Sequence, residues 1–231
     1  MVSAIIVAAG RGTRMGPDVD KMFLTVAGRP VVAHTWRLFD RVPEIDEIIL
    51  VVREGMGPAF QELAPGLSLR KPWRTVPGGK ERQDSVWSGL QAVAKGTELV
   101  AIQDGARPCT DASVIQATVN AARQFGAAVA AQRLTDTIKE SEDGATIART
   151  LDRGRLWSVH TPQAFRVGVI RDALAAVRKR GLVVTDDTAA CELIGQTVKL
   201  VESIVPNPKV TVAADLPYIA LLLEQQERNV Q

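Results

Sequence analysis

Short apolar runs rich in β-branched residues recur along the chain, and segments with a helical spacing of apolar residues separate them. Four of the runs are bounded by Gly, Asp or Pro and are typical of buried strands. They are Ser3–Ala9, Glu47–Val52, Glu98–Gln103 and Ala127–Gln132. Three apolar stripes predict amphipathic helices. The stripes are Val86, Leu90 and Val93; Val114, Ile115, Thr118, Val119 and Ala122; and Leu216, Ile219, Leu222 and Leu223.

The alternation of strands and helices predicts the fold class. It indicates an α/β protein with a single Rossmann-like domain, in which helices cover both faces of a mostly parallel sheet. A chain of 231 residues that is 46% hydrophobic can bury one core of this kind. We therefore expect residues 1–231 to form one domain without a linker. In such folds ligands bind outside the carboxyl ends of the strands, so we expect the functional site there.

The segment 135–161 breaks this alternation. Its pattern is strand-like around the sequence SEDG, and Asp143 and Gly144 are typical of a hairpin turn. Few apolar residues are available to anchor the segment to the core. We therefore predict a β-arm that protrudes from the domain and packs against something else.

Charge and composition exclude several classes of function. The 28 basic and 26 acidic residues nearly balance and the basic ones are scattered, so a role in nucleic-acid binding is disfavoured. No apolar run approaches the roughly 20 residues that span a bilayer, and no cationic leader precedes the first strand. Cys109 and Cys191 lack the spacing of a disulfide framework or metal site and suit a reducing compartment. We expect a soluble cytoplasmic protein without membrane or nucleic-acid partners.

The loop after the first strand concentrates glycines and cations. Gly10, Gly12 and Gly16 have the spacing GxGxxxG, which matches neither the dinucleotide fingerprint nor the phosphate loop of kinase-type enzymes. Glycine amides can still form a concave nest for an anion, and polyphosphate fits best. A strand-end turn with solvated basic residues is an equal alternative on spacing alone. The cations available around the loop are Arg11, Arg14 and Lys21.

Longer motifs favour one of these two interpretations of the loop, the anion-binding one. The sequence AAGRGTRM, followed by Lys21, resembles the signature loop of sugar-nucleotide and related nucleotidyltransferases. Together with six further motifs, in order and over essentially the whole chain, it resembles the 2-C-methyl-D-erythritol 4-phosphate cytidylyltransferase family. The further motifs are GGKERQDSV (78–86), QDGARP (103–108), DTIK (136–139), TPQAF (161–165), TDD (185–187) and NPKVT (207–211).

The resemblance implies transfer of CMP from CTP to 2-C-methyl-D-erythritol 4-phosphate with release of pyrophosphate. The acceptor phosphate would attack the α-phosphorus in line and arrives ionised, so it needs no general base. The histidines of the sequence are consistent with a reaction that has no general base. His34 and His160 form no recognisable pair of a base and an orienting residue, and both are interpreted as structural. The reaction needs fixed cations and a divalent metal to stabilise developing charge. We expect Mg²⁺ or a similar ion as cofactor.

The resemblance also implies roles for individual residues. Asp104 would lie beside the metal, directly or indirectly, and its place at the end of a predicted strand agrees with a functional role. Family members are dimers in which the arm reaches the neighbouring site, so a homodimer is expected. The implied catalytic residues are Arg14, Lys21 and Lys209. The implied CTP-binding residues are Ala8, Ala9, Gly10, Gly12, Gly79, Ser85 and Asp104, and the implied acceptor-binding residues are Thr137, Arg153, Thr161, Thr185 and Arg107.

Structural alternatives exist for several of these residues. Asp104 could cap a short turn with Arg107 as its partner, and Gly79 could simply precede a helix that begins at Arg82. Thr185 could equally be the N-cap of the helix that follows it. The chain also departs from the family pattern around Lys21, where Asp20 could form an ion pair with that lysine. The other departures are Met22, Lys80, Gln103 and Gly105.

Two alternative functions follow. A ribitol or other pentitol 5-phosphate cytidylyltransferase would share the loop and the TDD motif, although DGARP and NPKVT favour the methylerythritol phosphate enzyme. A catalytically silent nucleotide-binding module would be expected to have lost Lys21, Asp104 or Lys209, and all three are present.

Overall fold

The structure is a computed structural model that describes residues 1–10 and 20–229. In this part of the chain the strands are β1 (Val2–Ala8), β2 (Thr25–Val26), β3 (Arg29–Pro30), β4 (Glu47–Val52), β5 (Trp73–Pro77), β6 (Leu99–Asp104), β7 (Ala127–Arg133), β8 (Lys139–Glu140), β9 (Arg149–Thr150), β10 (Trp157–Arg166) and β11 (Lys199–Glu202). The α-helices are α1 (Val31–Arg41), α2 (Gly57–Leu63), α3 (Arg82–Gln91), α4 (Ala112–Phe125), α5 (Val167–Lys179), α6 (Asp187–Glu192) and α7 (Leu216–Asn229).

Seven of these strands form the central sheet, in the order β11-β7-β10-β6-β1-β4-β5. Strand β1 pairs in parallel with β4 and β6, β4 with β5, and β7 with β11. Strand β10 lies antiparallel between β6 and β7. The expected α/β fold with a mostly parallel sheet is therefore confirmed.

Both faces of the sheet are buried. Successive residues of β1 alternate between two apolar clusters: Ala4 and Ile6 pack on one face with α1, α4 and α7, and Ile5 packs on the other with α3, α5 and α6. Strands covered on both sides have no solvent face, so their sequences become continuous apolar runs. This explains why the four predicted strands correspond to β1, β4, β6 and β7 with ends displaced by at most one residue.

The predicted helical stripes are mostly correct. The stripe of α4 is buried along its whole length, and Val86 and Leu90 are buried in α3. Val93 lies beyond the end of α3 at Gln91, although it still packs against the core. None of the helices in the described ranges has the length and apolarity that crossing a bilayer requires.

The β-arm is shorter than the predicted segment 135–161. Strands β8 and β9 form a separate two-stranded hairpin, and the loop between them contains Asp143 and Gly144, the latter at a φ of 73°. Residues 157–161 belong instead to β10, where Trp157 pairs with Arg133 of β7. The boundary was misplaced because this first half of β10 is polar and resembles the hairpin that precedes it. The hairpin is fully exposed from Ser141 to Thr150.

Candidate active site

The strand order places a crevice between β1 and β6. After β1 the chain proceeds outward to β4 and β5 and then returns to β6 on the other side of β1. Connections leave in opposite directions at such a switch point, which opens a ligand-binding crevice at the carboxyl ends of the strands. Val7 of β1 is in register with Asp104 of β6, so Ala9 and Gly10 emerge beside Asp104.

Most of the predicted CTP-binding and catalytic residues line one cavity in this crevice, with a volume of about 180 Å³. A second cavity, of about 160 Å³, shares Arg82, Asp104 and Lys209 with the first. The two cavities therefore meet at these three side chains. Predicted residues lining the first are Ala9, Gly10, Lys21, Gly79, Ser85, Asp104 and Lys209. Predicted acceptor residues lining the second are Arg107, Thr161 and Thr185.

The carboxylate of Asp104 is the electrostatic centre of the site. Its Oδ2 lies 2.7 Å from Lys209 Nζ and 3.7 Å from Arg107 Nε, and its Oδ1 accepts a hydrogen bond of 3.2 Å from Arg82 Nε. Burial would raise the pKa of Asp104, but Arg82, Lys209 and Arg107 outweigh burial and hold that pKa well below its usual range. Asp104 is therefore ionised at any physiological pH.

The turn after β6 does not use the Asp104 side chain as a cap. A backbone hydrogen bond from Arg107 N to Asp104 O, 3.1 Å long, closes this turn. In the described residues, the hydrogen bonds of the carboxylate come from side-chain cations and not from backbone amides. The interpretation of Asp104 as a turn cap is therefore wrong.

The two predicted catalytic lysines are held by one C-terminal segment. Lys21 is 8% exposed and donates to the carbonyl of Val210 at 3.2 Å, while the amide of Val210 donates to Ala106 O at 2.8 Å. Lys209 precedes Val210, and its side chain remains 37% exposed. Asp20, which could have competed for Lys21, forms an ion pair of 2.9 Å with Arg53.

The loop before α3 approaches β1 closely. A Cβ atom on Gly78 would lie 2.4 Å from Ala9 Cβ, and one on Gly79 would lie 2.3 Å from Asp84 Cβ, so both positions require glycine. The amide of Gly79 donates to Ser85 Oγ at 3.1 Å. The helix itself is capped by Glu81 and Asp84, so Gly79 has a role in the loop beyond preceding the helix.

The second cavity collects hydroxyl groups beside a guanidinium. Thr161 is buried, and its Oγ1 accepts a hydrogen bond of 3.1 Å from the amide of Asp104. Arg107 donates from Nη1 to the carbonyl of Asn207 at 2.5 Å. Thr185 is exposed, and α6 is capped by Asp186, whose Oδ1 accepts from the amide of Ala189 at 2.9 Å. Thr185 is therefore not the cap of this helix.

Three predicted site residues line neither cavity, and two more cannot be placed because they lie outside the described part of the chain. Thr137 and Arg153 lie on the exposed arm and line neither cavity, and Arg153 Nη1 donates to the carbonyl of Thr135. Ala8 packs in the core, where it is 5% exposed. Gly12 and Arg14 lie outside the described residues.

Among the residues that line the cavities, Arg82 and His160 were not predicted from the sequence as site residues. Arg82 contacts both Asp104 and Asp187, and the latter is fully buried at the start of α6. A signal for Arg82 existed, because it is the first residue of α3 and the helix dipole disfavours a cation there. His160 lines the second cavity, and no comparable sequence signal identified it.

The oxygen donors fit a metal that binds mainly through a nucleotide. In the described ranges no group of three His, Cys, Asp or Glu side chains could enclose an ion. Mg²⁺ usually takes one or two carboxylates and completes its shell with water and substrate phosphate oxygens. Asp104 is a carboxylate at the junction of the two cavities and fits that mode of binding.

Comparison with known proteins identifies similar sequences along the whole chain. The family model for 2-C-methyl-D-erythritol 4-phosphate cytidylyltransferase matches residues 2–225. A protein of that name from Geobacillus kaustophilus is 41% identical over 220 residues, covering 95% of this chain and 96% of its own. Another from Syntrophotalea carbinolica is 44% identical over 218 residues, covering 93% of both chains.

Solved structures agree with these sequence matches. The 4-diphosphocytidyl-2C-methyl-D-erythritol synthase of Anaerococcus prevotii superimposes with a TM-score of 0.87 at 32% identity, covering 97% of this chain and 96% of its own. The 2-C-methyl-D-erythritol 4-phosphate cytidylyltransferase of Thermus thermophilus gives a TM-score of 0.78 at 28% identity, covering 97% and 100%.

The half-buried imidazole of His160 makes stability sensitive to acid. Burial, and then the nearby Arg107, lower the pKa of His160 to about 4. In the unfolded chain a histidine titrates near 6.5, so the unfolded state binds the extra proton as pH falls from about 6.5 to about 4. The free energy of unfolding therefore falls across this window.

We expect His160→Gln to lose less stability than the wild type between pH 7.5 and pH 5. Because His160 is only half-buried, we expect a difference on the order of 1 kcal/mol. Urea unfolding of both proteins at the two pH values measures it. If the free energy of unfolding changes equally with pH in both proteins, His160 is not the source of the acid sensitivity.

Proposed function

The chain belongs to the 2-C-methyl-D-erythritol 4-phosphate cytidylyltransferase family, and we propose that it transfers CMP from CTP to 2-C-methyl-D-erythritol 4-phosphate. The products are 4-diphosphocytidyl-2-C-methyl-D-erythritol and pyrophosphate. One observation carries the proposal beyond membership of the family. Most of the residues expected to hold CTP, and three of those expected to hold the acceptor, line two cavities that share Asp104 and Lys209.

The first cavity suits the nucleotide. Ser85 and the Gly78–Gly79 loop present one hydroxyl and backbone groups, which can read the edge of a pyrimidine. Lys21 and Lys209 line the same cavity and would supply positive charge for the phosphates. Gly10, which follows β1, also lines it, and a glycine allows a phosphate to approach the backbone closely.

Lys209 is placed to act during the reaction. As the acceptor oxygen bonds to the α-phosphorus and the bond to pyrophosphate breaks, negative charge increases on the phosphoryl oxygens. The Lys209 ammonium lies at the junction of the two cavities, where those oxygens would be, and its partial exposure allows it to reach them. Lys21 is buried and anchored by Val210, which suits binding of the triphosphate at a fixed position. Arg14 is the third cation that we propose to bind the triphosphate, together with Lys21.

We further propose that Mg²⁺ or a similar divalent ion takes part, with Asp104 as its protein contact, direct or through water. Bound there, the ion would supply positive charge that polarises the phosphoryl oxygens. Asp104 also keeps Lys209 and Arg107 close together despite their mutual repulsion.

The second cavity suits a phosphorylated sugar alcohol. Arg107 offers a guanidinium for an anion, and Thr161 and Thr185 offer groups for hydrogen bonds to the acceptor. We propose that Thr137 and Arg153 complete this site from the arm of a second subunit. An isolated two-stranded hairpin is marginally stable, and the arm exposes 67% of Ile147, so packing against a partner would stabilise it. The proposed enzyme is a cytoplasmic homodimer.

A pyrophosphate-release assay tests the reaction. Purified protein with Mg²⁺ is combined with each of four nucleoside triphosphates and with either 2-C-methyl-D-erythritol 4-phosphate or ribitol 5-phosphate. We expect release with CTP and the methylerythritol phosphate. Preference for ribitol 5-phosphate would support the pentitol enzyme instead, and absence of release in every combination would support a silent nucleotide-binding module.

Substitution of Lys209 tests the proposed charge stabilisation. We expect Lys209→Ala to remain folded but to lose turnover by a factor on the order of 10², as loss of one such donor typically does. Lys179→Ala serves as the control, because Lys179 is an exposed residue at the end of α5. If Lys209→Ala turns over as fast as this control, Lys209 has no catalytic role.

Substitution of Arg153 tests whether the site is shared between subunits. We expect Arg153→Ala to raise the KM for the acceptor phosphate about tenfold or more, with CTP affinity unchanged, because a guanidinium contact to an anion is lost. Mixing it with Lys209→Ala should restore activity, since a mixed dimer has one site with both residues. With the acceptor well below its KM, full subunit exchange should give roughly a quarter of wild-type activity. No recovery would show that Arg153 does not act across the dimer.

A further inference from the structure

We propose that Arg82 is a positioning residue for the reaction: its guanidinium fixes the orientation of the Asp104 carboxylate by bridging it to the buried Asp187. This inference rests on the proposed cytidylyl transfer. Arg82 is 3.2 Å from Asp104 Oδ1 through Nε and 2.7 Å from Asp187 Oδ2 through Nη1.

The two oxygens of Asp104 have different partners. Lys209 and Arg107 both approach Oδ2, whereas Arg82 is the side chain that binds Oδ1 in the described structure. Without Arg82, no side chain in the described ranges would bind Oδ1 and oppose rotation of the carboxylate plane about its bond to Cβ. Rotation would also displace Lys209, whose Nζ is 2.7 Å from Oδ2. Arg82 therefore controls where the Lys209 ammonium lies.

Asp187 gives Arg82 a rigid support. Asp187 is fully buried, and its amide donates to Gln163 Oε1 at 3.2 Å. The side-chain amide of Gln163 donates in turn to Asp186 Oδ2 at 2.9 Å, and Asp186 caps α6. Because Asp187 sits in this network, its position is fixed by β10 and α6. The guanidinium bound to it is fixed as well.

Stability alone does not account for this arrangement. A buried ion pair requires desolvation of both charges, and apolar residues of similar volume often stabilise a protein equally well. Arg82 also occupies the first residue of α3, where the helix dipole disfavours positive charge. Arg82 does, however, line both cavities and contacts Asp104, which lines both as well. A role in arranging reacting groups explains its location.

The test compares Arg82→Met with a matched control, Arg74→Met. Arg74 binds the buried Glu47 at 2.6 Å at the opposite ends of the strands, so both substitutions remove a guanidinium from a buried carboxylate. We expect both variants to lower the melting temperature, Arg82→Met by more because it removes a partner from two buried carboxylates. Only Arg82→Met should lower kcat, by a factor of about ten to a hundred, because small misplacements of reacting groups are costly. The Kd for CTP measured in EDTA should stay within about threefold of wild type.

Two further variants separate positioning from general damage. Arg82→Lys retains the charge but cannot bridge both carboxylates, so we expect a folded protein with intermediate kcat. In an Asp104→Asn background, Arg82→Met should reduce kcat by less than about threefold more, because Arg82 acts through Asp104. If Arg82→Met does not fold, the inference is tested by comparing the kcat of Arg82→Lys with that of Arg74→Met.

The outcomes are distinct. The inference is overturned if the folded Arg82 variants match Arg74→Met in kcat, or if the two substitutions multiply fully in the double variant. Failure of the wild-type protein to release pyrophosphate from CTP with 2-C-methyl-D-erythritol 4-phosphate would instead overturn the proposed function.

Discussion

At the carboxyl end of β6 a single buried carboxylate is shared among three cations that belong to different segments. Lys209, Arg82 and Arg107 would repel one another without Asp104, and burial strengthens both the repulsion and the attraction. The carboxylate therefore assembles a positive region before any ligand arrives. Preorganised charge of this kind is effective in catalysis, because little reorganisation is needed when new negative charge forms.

The sheet could be predicted from the sequence where its strands are covered on both faces. β1, β4, β6 and β7 are continuous apolar runs, whereas β5 and β11 are short strands at the two edges of the sheet and carry exposed residues. β10 could not be predicted for a different reason. It carries His160, Thr161 and Gln163 beside the second cavity, so polar residues of the site interrupt the pattern that would reveal a strand.

The candidate site could be predicted where its residues lie in contiguous motifs. Gly79, Ser85, Asp104 and Lys209 do, and the fold brings them to one crevice. The contacts among motifs could not be predicted, since Arg82 meets partners 22 and 105 residues away. Nor could local sequence choose between Thr185 and Asp186 as the cap of α6, because both side chains are good helix caps and only their geometry separates them.

The C-terminal segment has a consequence for biosynthesis. Lys209 lies 105 residues beyond Asp104, and the carbonyl of Val210 lies 189 residues beyond Lys21. The strands that form the middle of the sheet therefore leave the ribosome well before the residues that complete the crevice. A nascent chain can bury much of its core while it still lacks Lys209 and the Val210 carbonyl that binds Lys21. The residues that complete the crevice are therefore synthesised late, after most of the sheet.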